Sequence, residues 1–245
     1  MRFTLPTPLS GWRAFFGEVG IIVLGVLVAL GIGEVVDGLR WDERARESER
    51  SIRAEWGQNG GVFEERMLIQ PCLDRRLAEL ESIIRKARQT GRLPDIGEIG
   101  RPPLRPISTD AWKQVTGSET LLHMDTSQAK LFTAGYTQVE RFIPSAFYEH
   151  DLWSALGVLE DSPGVVGETF LADAATTLAR LKGRTLMNGI VAQQEFESGR
   201  KIGIPTSYYL ILDREGSREE VLDQWRTRSI CKPLLVDGRS IPARS

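Results

Sequence analysis

The residue types that could carry catalysis are sparse and scattered along the chain. The most compact group is Glu149-His150-Asp151, where two carboxylates flank an imidazole that could exchange protons or bind a metal ion. Neighbouring residues on a helix point in different directions, however, so we interpret this group as part of a solvated helix face. The chain has no His-Glu-x-x-His, Gly-x-Ser-x-Gly, Gly-Lys-Ser/Thr or Cys-x-x-Cys motif. We therefore predict no catalytic, cofactor-binding or metal-binding residues, and a protein that is not an enzyme.

The remaining metal-binding residue types do not form a pattern of their own. The chain has two cysteines, Cys72 and Cys231, and a second histidine, His123, and their wide separation argues against a zinc site. We expect His123 to lie, hydrogen-bonded, in a turn between two helices. From spacing alone the cysteines are open to two interpretations. They are unrelated buried thiols in a reducing compartment, or they form one disulfide in an oxidising one.

Composition and charge limit the class of protein. The 245 residues are 41% hydrophobic and 26% charged, which is ordinary for a globular protein, and the formal net charge is -2. Most basic residues alternate with acidic ones, so no surface is expected to attract nucleic acid. The part of the chain after residue 36 is long enough for one sizeable core or two small ones.

One long apolar stretch determines how the chain is organised. Residues 19–33 carry no charge, and the apolar residues Phe15, Phe16, Val35 and Val36 extend the stretch at both ends. A helix over residues 15–36 would rise roughly 33 Å, close to the thickness of a bilayer's hydrocarbon core. We therefore predict a transmembrane helix at 15–36, after a short tail at 1–14.

Two other interpretations of this stretch remain open. A cleaved signal peptide would use Arg2 and Arg13 as its basic region and Ala29-Leu30-Gly31 as its cleavage site. A buried helix of a soluble protein is the third possibility. A retained anchor is favoured because Glu18 directly precedes the apolar run. The aromatic residues Trp12, Phe15 and Phe16 are also typical of a membrane interface.

Two residue patterns in and after the anchor suggest contacts with other helices. Gly25, Ala29 and Gly33 are spaced by four and share one helix face, where a second membrane helix could approach closely. Residues 37–60 are predicted to form a membrane-proximal stalk helix. Its narrow seam, spaced 4-3-4 as in coiled coils, should pack against another surface; the seam comprises Trp41, Ala45, Ser48 and Ile52.

The orientation in the membrane is set by the flanking charges. Arginines after the anchor outnumber Arg2 and Arg13 before it, which taken literally favours a cytoplasmic soluble domain. The downstream arginines are matched by acidic residues, whereas the short N-terminal tail is purely basic. We therefore expect the N-terminus in the cytoplasm and the soluble domain on the other side.

The soluble domain, residues 61–245, is predicted to be an irregular antiparallel bundle of helices. Glycines at 57, 60 and 61 should end or bend the stalk, and Pro71 should kink the next helix or begin a new one. The clearest amphipathic helix ends at Gly91; its apolar face is Leu73, Leu77, Leu80, Ile84 and Ala87, with Arg76 on the outside. Residues 92–107, rich in proline and glycine, should cross the surface in an extended form.

The second half of the domain continues this helical pattern. Asp125 and Ser217 should begin helices, and Pro144 should kink or divide the helix that starts at Asp125. Ser162-Pro163 should begin a helix that reaches about residue 199. Residues 208–212 are the one strand-like run, and the chain should end in a loose tail around residues 231–235. The tryptophans Trp112, Trp153 and Trp225 are expected in the core.

Several of these segments together resemble a family of uncharacterised single-span bacterial membrane proteins. The segments are Trp12–Leu30, Glu34-Val-Val-Asp37 followed by Trp41, Cys72-Leu-Asp-Arg-Arg-Leu77, Ala111-Trp112, Leu121-Leu-His-Met124 and Cys231-Lys-Pro-Leu-Leu235. The likeness implies a retained anchor in the bacterial inner membrane and a helical domain. It also implies a Cys72–Cys231 bridge, which is expected only outside the cytoplasm. The family implies no activity.

These observations favour a protein that acts by interaction. We expect a membrane-anchored scaffold or accessory subunit of a larger membrane complex, without cofactors. It would contact the lipid bilayer and another membrane protein, or a second copy of itself, through the anchor and stalk. The alternative is a small-ligand-binding or sensor domain tethered outside the cytoplasm, for which a deep apolar pocket would be the sign.

Overall fold

The computed structural model describes residues 11–240, which are mainly α-helical. Of the predicted N-terminal tail at 1–14, residues 1–10 lie outside the described residues. Six α-helices are present in the described part: α1 Gly11–Thr90, α2 Asp110–Thr116, α3 Thr126–Leu156, α4 Glu168–Lys201, α5 Tyr209–Leu212 and α6 Arg218–Arg226. Two short antiparallel pairs join β1 Arg92–Leu93 to β2 Gly164–Val165 and β3 Leu235–Val236 to β4 Arg239–Ser240. Three 3-10 turns lie at Glu119–His123, Gly157–Leu159 and Ser229–Cys231.

Helix α1 is continuous over 80 residues. At 1.5 Å per residue it is roughly 120 Å long. The helix does not end at Gly57, Gly60 and Gly61, which was one of the two outcomes predicted there, and Pro71 starts no new segment but lies inside the helix. Gly57 and Gly61 serve instead as contact points, because a side chain at either would collide with the backbone of residues 205–207. Anchor, stalk and first bundle helix are therefore one element.

The body packs α3 and α4 along the second half of α1. Trp56 of α1 meets Tyr136 and Arg66 meets Glu149, so the contacts advance together and α1 and α3 run in the same direction. Helix α4 runs antiparallel to α1, since its Lys182 pairs with Glu81 of α1, whereas its Gly199 lies against Trp56. This arrangement closes the apolar faces of three long helices on one another.

The core confirms the strongest periodic pattern in the sequence. The predicted apolar face of α1 from Leu73 to Ala87 is buried throughout, and Gly91, with a φ of +67°, ends the helix. Trp153 and Trp225 join the same cluster. A second cluster lies nearer the anchor and includes Trp112. All three tryptophans predicted for the core are thus buried there.

Several elements in the second half differ from the prediction. Of the two outcomes predicted at Pro144, division of the helix does not occur, because α3 runs through this residue. Helix α4 begins at Glu168, not at Ser162-Pro163, because β2 first pairs with β1 across residues 164 and 165. Within the predicted strand at 208–212, residues Tyr209–Leu212 form the short helix α5, with Ile211 turned into the core. A short apolar run does not distinguish a strand from a buried helical turn.

The segments expected to be loose are packed. Residues 92–107 are extended, but Leu93, Ile96 and Ile99 are buried, so every third side chain faces the core. The C-terminal residues 231–235 are not a loose tail either. Leu234 is buried, and β3 and β4 form a hairpin whose turn residues, Asp237 and Gly238, have positive φ.

Candidate functional site

The anchor is an apolar helix that the rest of the chain leaves uncovered. One 18-residue window of α1 has a mean hydropathy of 2.6, and none of that window is buried in the folded chain. The interpretation as a core helix of a soluble body is therefore wrong. Helix α1 is long and apolar enough near its start to cross a membrane.

The small residues of the anchor form an open face. Gly25, Ala29 and Gly33 follow one another at intervals of four on a continuous helix, so they lie about 40° apart around its axis. Apart from the adjoining residues and the backbone of the helix itself, no atom of the described residues lies within 4 Å of a Cβ built at Gly25 or Gly33. This face has room for the backbone of a neighbouring helix.

The stalk seam is covered by the chain itself. Ala45 and Ile52 are buried, while Trp41 and Ser48 are partly buried. The Trp41 ring stacks on His123 with 4.3 Å between centroids, and His123 is exposed on its other side. The body therefore begins at Trp41, five residues after Val36, and its own segments already occupy most of the seam.

Above the seam, α1 carries buried polar side chains that hold other segments in place. The Glu55 carboxylate accepts hydrogen bonds from the Ser108 hydroxyl at 2.6 Å and the Tyr136 hydroxyl at 2.7 Å. Burial, together with this hydrogen bond to Glu55, raises the pKa of Tyr136. The Glu65 carboxylate accepts two hydrogen bonds from Arg105, at 2.8 and 2.9 Å, and one from the Trp225 indole at 2.9 Å. These contacts attach three parts of the chain to α1, namely the loop before α2, helix α3 and helix α6.

Arg66 and Glu149 form a buried ion pair between α1 and α3. The Arg66 guanidinium donates to the Glu149 carboxylate at 2.8 Å and to the Thr185 carbonyl at 3.0 Å. The same carboxylate accepts from Thr185 and Asn188 of α4. The prediction of a solvated face is therefore wrong for Glu149, whose residue surface is 4% exposed. Burial lowers the pKa of Arg66 below its usual value, and the neighbouring Glu149 carboxylate offsets only part of this shift.

A small cavity adjoins this ion pair. It measures about 50 Å³ and is lined by Arg66, Pro102, Phe142, Glu149 and His150. Nε and Nη1 of Arg66 and Nδ1 of His150 have no hydrogen-bond partner among the described residues. The space suits one or two water molecules, and the two charges compensate each other. The arrangement ties α1, α3 and α4 together and offers no activated nucleophile.

The cysteines and Arg76 hold the C-terminal segment. The Sγ atoms of Cys72 and Cys231 form a disulfide, and the Cα atoms are 4.7 Å apart. Arg76, one turn further along α1, was expected on the outside but is fully buried. Its guanidinium donates to the carbonyls of Ser229 at 2.8 Å and Lys232 at 2.7 Å, and pairs with Glu79 at 3.1 Å.

Glu195 of α4 is a buried acid without a counter-charge on the described residues. Its Oε2 and the indole Nε1 of Trp56 both lack hydrogen-bond partners, and both residues line a cavity of about 10 Å³ beside Gly57 and Gly60. Burial raises the pKa of Glu195 to about 7. This carboxyl is thus poised to change charge near neutral pH.

An open groove of about 600 Å³ lies between α1 and α4 at the end of the body farthest from the anchor. Its apolar floor includes Ile84 and Leu178, and Arg85 and Arg88 stand on its rim with Lys182. Lys182 pairs with Glu81, but neither arginine makes a salt bridge within residues 11–240. The groove could hold a small anion that carries an apolar part.

Sequence reasoning missed Arg66, Arg76, Glu149 and Glu195 as buried residues. The signal was a polar side chain at a core position of an apolar repeat: Glu149 lies midway between Phe142 and Leu156, seven residues from each. Burial of a charge then requires a partner.

Among residues 11–240, no three His, Cys, Asp or Glu side chains are grouped so that they could hold a metal ion. Comparison with known proteins gives no relative: no family model, no curated protein and no solved structure matches the chain.

Proposed function

We propose that this chain is a single-span protein of the bacterial inner membrane that acts by interaction, as a scaffold or accessory subunit of a larger membrane complex. In this proposal it belongs with the single-span bacterial membrane proteins that its anchor resembles. Its N-terminus lies in the cytoplasm and its helical body in the periplasm. The partner is another membrane protein or a second copy of the chain.

The observation that carries the proposal is the continuity of α1. An uncovered apolar helix passes without interruption into the core of the body, where the same helix contacts α2, α4, α5 and α6 and bonds to α3 through Glu55 and Arg66. A partner that binds the anchor would therefore fix the position of the whole body. The Cys72–Cys231 disulfide supports an oxidising compartment for the body. Because the stalk seam is already covered, the surface left for a partner in the membrane is the anchor.

The test is gentle detergent extraction followed by co-purification, with two matched pairs of substitutions. Gly25→Leu with Gly33→Leu fills the open face. Gly20→Leu with Gly31→Leu makes the same chemical change about 180° away on the helix, where a Cβ also meets nothing within 4 Å. We expect the first pair to lose the partner and the second pair to retain it. Recovery of the unaltered protein as a lone monomer, or equal effects of both pairs, would overturn the proposal.

A second candidate function, a tethered ligand-binding or sensor domain, is favoured by the groove at Arg85 and Arg88. The volume of about 600 Å³ falls in the range of small-molecule sites, and the two arginines would bind the anionic end of a ligand. The probe is a medium-chain fatty acid titrated calorimetrically into the detergent-solubilised protein. Arg85→Gln with Arg88→Gln should abolish binding, whereas Lys86→Gln, which does not line the groove, should leave binding unchanged. No binding to the unaltered protein would reject this candidate.

A further inference from the structure

The Glu119–His123 turn lies at the level where α1 leaves the apolar run. Trp41, which stacks on His123, follows Val36 by five residues and therefore lies roughly 7.5 Å farther along the helix. The polar headgroup layer of a bilayer is about 5–7 Å deep on each side of the hydrocarbon core. Because α3 runs in the same direction as α1, the N-terminal end of α3 also faces the side of the anchor. The turn is thus the part of the body nearest to the membrane.

An exposed apolar side chain and an apolar-lined groove lie at this level, among charged residues. Leu122 has 82% of its surface exposed, the largest value for any large apolar residue within residues 11–240. Beside it runs an open groove of about 460 Å³. The groove is lined by Leu121, Met124, Ala129 and Ala134, and by the ammonium-bearing Lys130. Arg44 lies at the same level, with its guanidinium carbon 4.9 Å from the centroid of the Trp41 ring.

Of the acidic residues near the turn, one is engaged in hydrogen bonds within the protein and one is free to repel anionic lipid. Asp125 is engaged as the N-cap of α3, where its carboxylate accepts hydrogen bonds from the amides of Ser127 and Gln128 at 3.0 Å. Glu119 is exposed and remains a negative charge near the turn. On α1 at this level, Arg40 pairs with Asp37 at 3.3 Å, and the exposed Asp42 and Glu43 lie next to Arg44, so this end of the body carries no excess of positive charge. Lys130 lines the groove itself, where its ammonium group can meet a phosphate headgroup.

We propose that the Glu119–His123 turn and the first two turns of α3 form a second lipid-contacting surface, which seats the body directly on the bilayer. This inference rests on the proposed membrane anchor. Leu122 enters the interface between headgroups and acyl chains, and the groove takes lipid from the same bilayer, with Lys130 facing a phosphate. Membrane helices tilt by about 20° on average. At one helix diameter of about 10 Å from the axis of α1, that tilt lowers the turn by roughly 3 Å.

The test places a nitroxide label on the full chain in vesicles of phosphatidylcholine and phosphatidylglycerol. Single labels go on Leu122→Cys, on Leu27→Cys in the anchor, and on Val165→Cys, which is 80% exposed on β2. Collisions with lipid-soluble O₂ and with a water-soluble nickel chelate are compared by power saturation. We expect the O₂-to-nickel ratio at 122 to be several-fold higher than at 165 and to approach the ratio at 27.

The three labels separate the inference from the proposal on which it rests. A lipid-like ratio at 27 with a ratio at 122 equal to that at 165 would overturn the seated surface and leave the anchor intact. A water-like ratio at 27 would overturn both. Replacing Lys130 with Gln should lower the gain in the 122 ratio that follows addition of phosphatidylglycerol. An unchanged gain would remove Lys130 from the surface.

Discussion

Substitution by alanine should raise the free energy of unfolding at Gly60 and lower it at the adjacent Gly61. A Cβ at Gly61 would collide with the backbone carbonyl of Ser207, and one at Gly57 would lie 2.5 Å from the Pro205 carbonyl oxygen. The Ser207 amide also donates to the Gly57 carbonyl at 3.0 Å, so this segment rests on the backbone of α1. A Cβ at Gly60, by contrast, meets nothing within 4 Å.

The expected free-energy changes follow from these distances. Gly60→Ala should stabilise the protein by about 0.5–1 kcal/mol, since alanine favours the helix and no neighbour has to move. Gly61→Ala makes the same gain in helix propensity but must displace a peptide group, and such overpacking costs about 1–3 kcal/mol. We expect Gly61→Ala to lower the free energy of unfolding by about 1–2 kcal/mol, and Gly57→Ala to lower it similarly.

Urea unfolding of the full chain in detergent micelles, followed by far-ultraviolet circular dichroism, gives the free energies of unfolding. Gly60→Ala serves as the matched control for its neighbour. Stabilisation by both substitutions at 60 and 61 would show that residues 205–207 do not lie on α1. Destabilisation by both would show that α1 is not a continuous helix through its glycines.

Three further predictions concern the buried charges and the disulfide. Glu149→Ala leaves Arg66 buried without a counter-charge and should lower the free energy of unfolding in urea by about 3–5 kcal/mol. Arg66→Met combined with Glu149→Leu should restore most of that loss. A loss under about 1 kcal/mol for Glu149→Ala would contradict the buried pair. Because the pKa of Glu195 is raised to about 7 from 4.5, the folded state holds a proton that the unfolded state releases, so the free energy of unfolding should fall between pH 4.5 and pH 8, by at most ~3 kcal/mol. Glu195→Gln should remove that slope, and the same slope in both proteins would refute the assignment. Reduction of the disulfide, which closes a separation of 159 residues, should lower the free energy of unfolding by up to ~5 kcal/mol on the entropic model, with Cys231→Ser insensitive to reductant; free thiols at both positions in protein from its native host would contradict it.

The predictable part of the fold was the part in which one local pattern decides the outcome. The apolar spacing from Leu73 to Ala87, the stop at Gly91 and the capping box at Ser217 each depend on residues close in sequence, and the structure confirms all three. The apolar stretch of the anchor is of the same kind, because hydropathy over some twenty residues needs no partner to be recognised.

The part that could not be predicted depends on residues far apart in sequence. Glycines such as those at 57 and 61 are typical of a helix end. Here they lie inside a helix, where they let the backbone of residues 205–207 approach closely. Pro144 is likewise tolerated within α3. Tertiary packing outweighs such local preferences, since buried apolar residues of the same helix lie on both sides of each position.

The candidate site divides in the same way. The small residues of the anchor could be found from spacing alone, and so could the seam of Trp41 and Ile52. The residues that cover the seam could not be predicted, because His123 and Tyr136 come some 80 positions later in the sequence. Buried Arg66 and Arg76 were missed because a charged side chain at a core position is recognisable only when its distant partners are known.

The central claim is that the apolar start of α1 stays attached and lies in lipid. The most direct measurement is the intact mass of the protein that remains in native membranes after an alkaline carbonate wash. We expect the washed membranes to retain a chain that includes residues 15–36 and that only detergent releases. A mature chain that begins near Ile32, or one recovered in the carbonate supernatant, would contradict the claim.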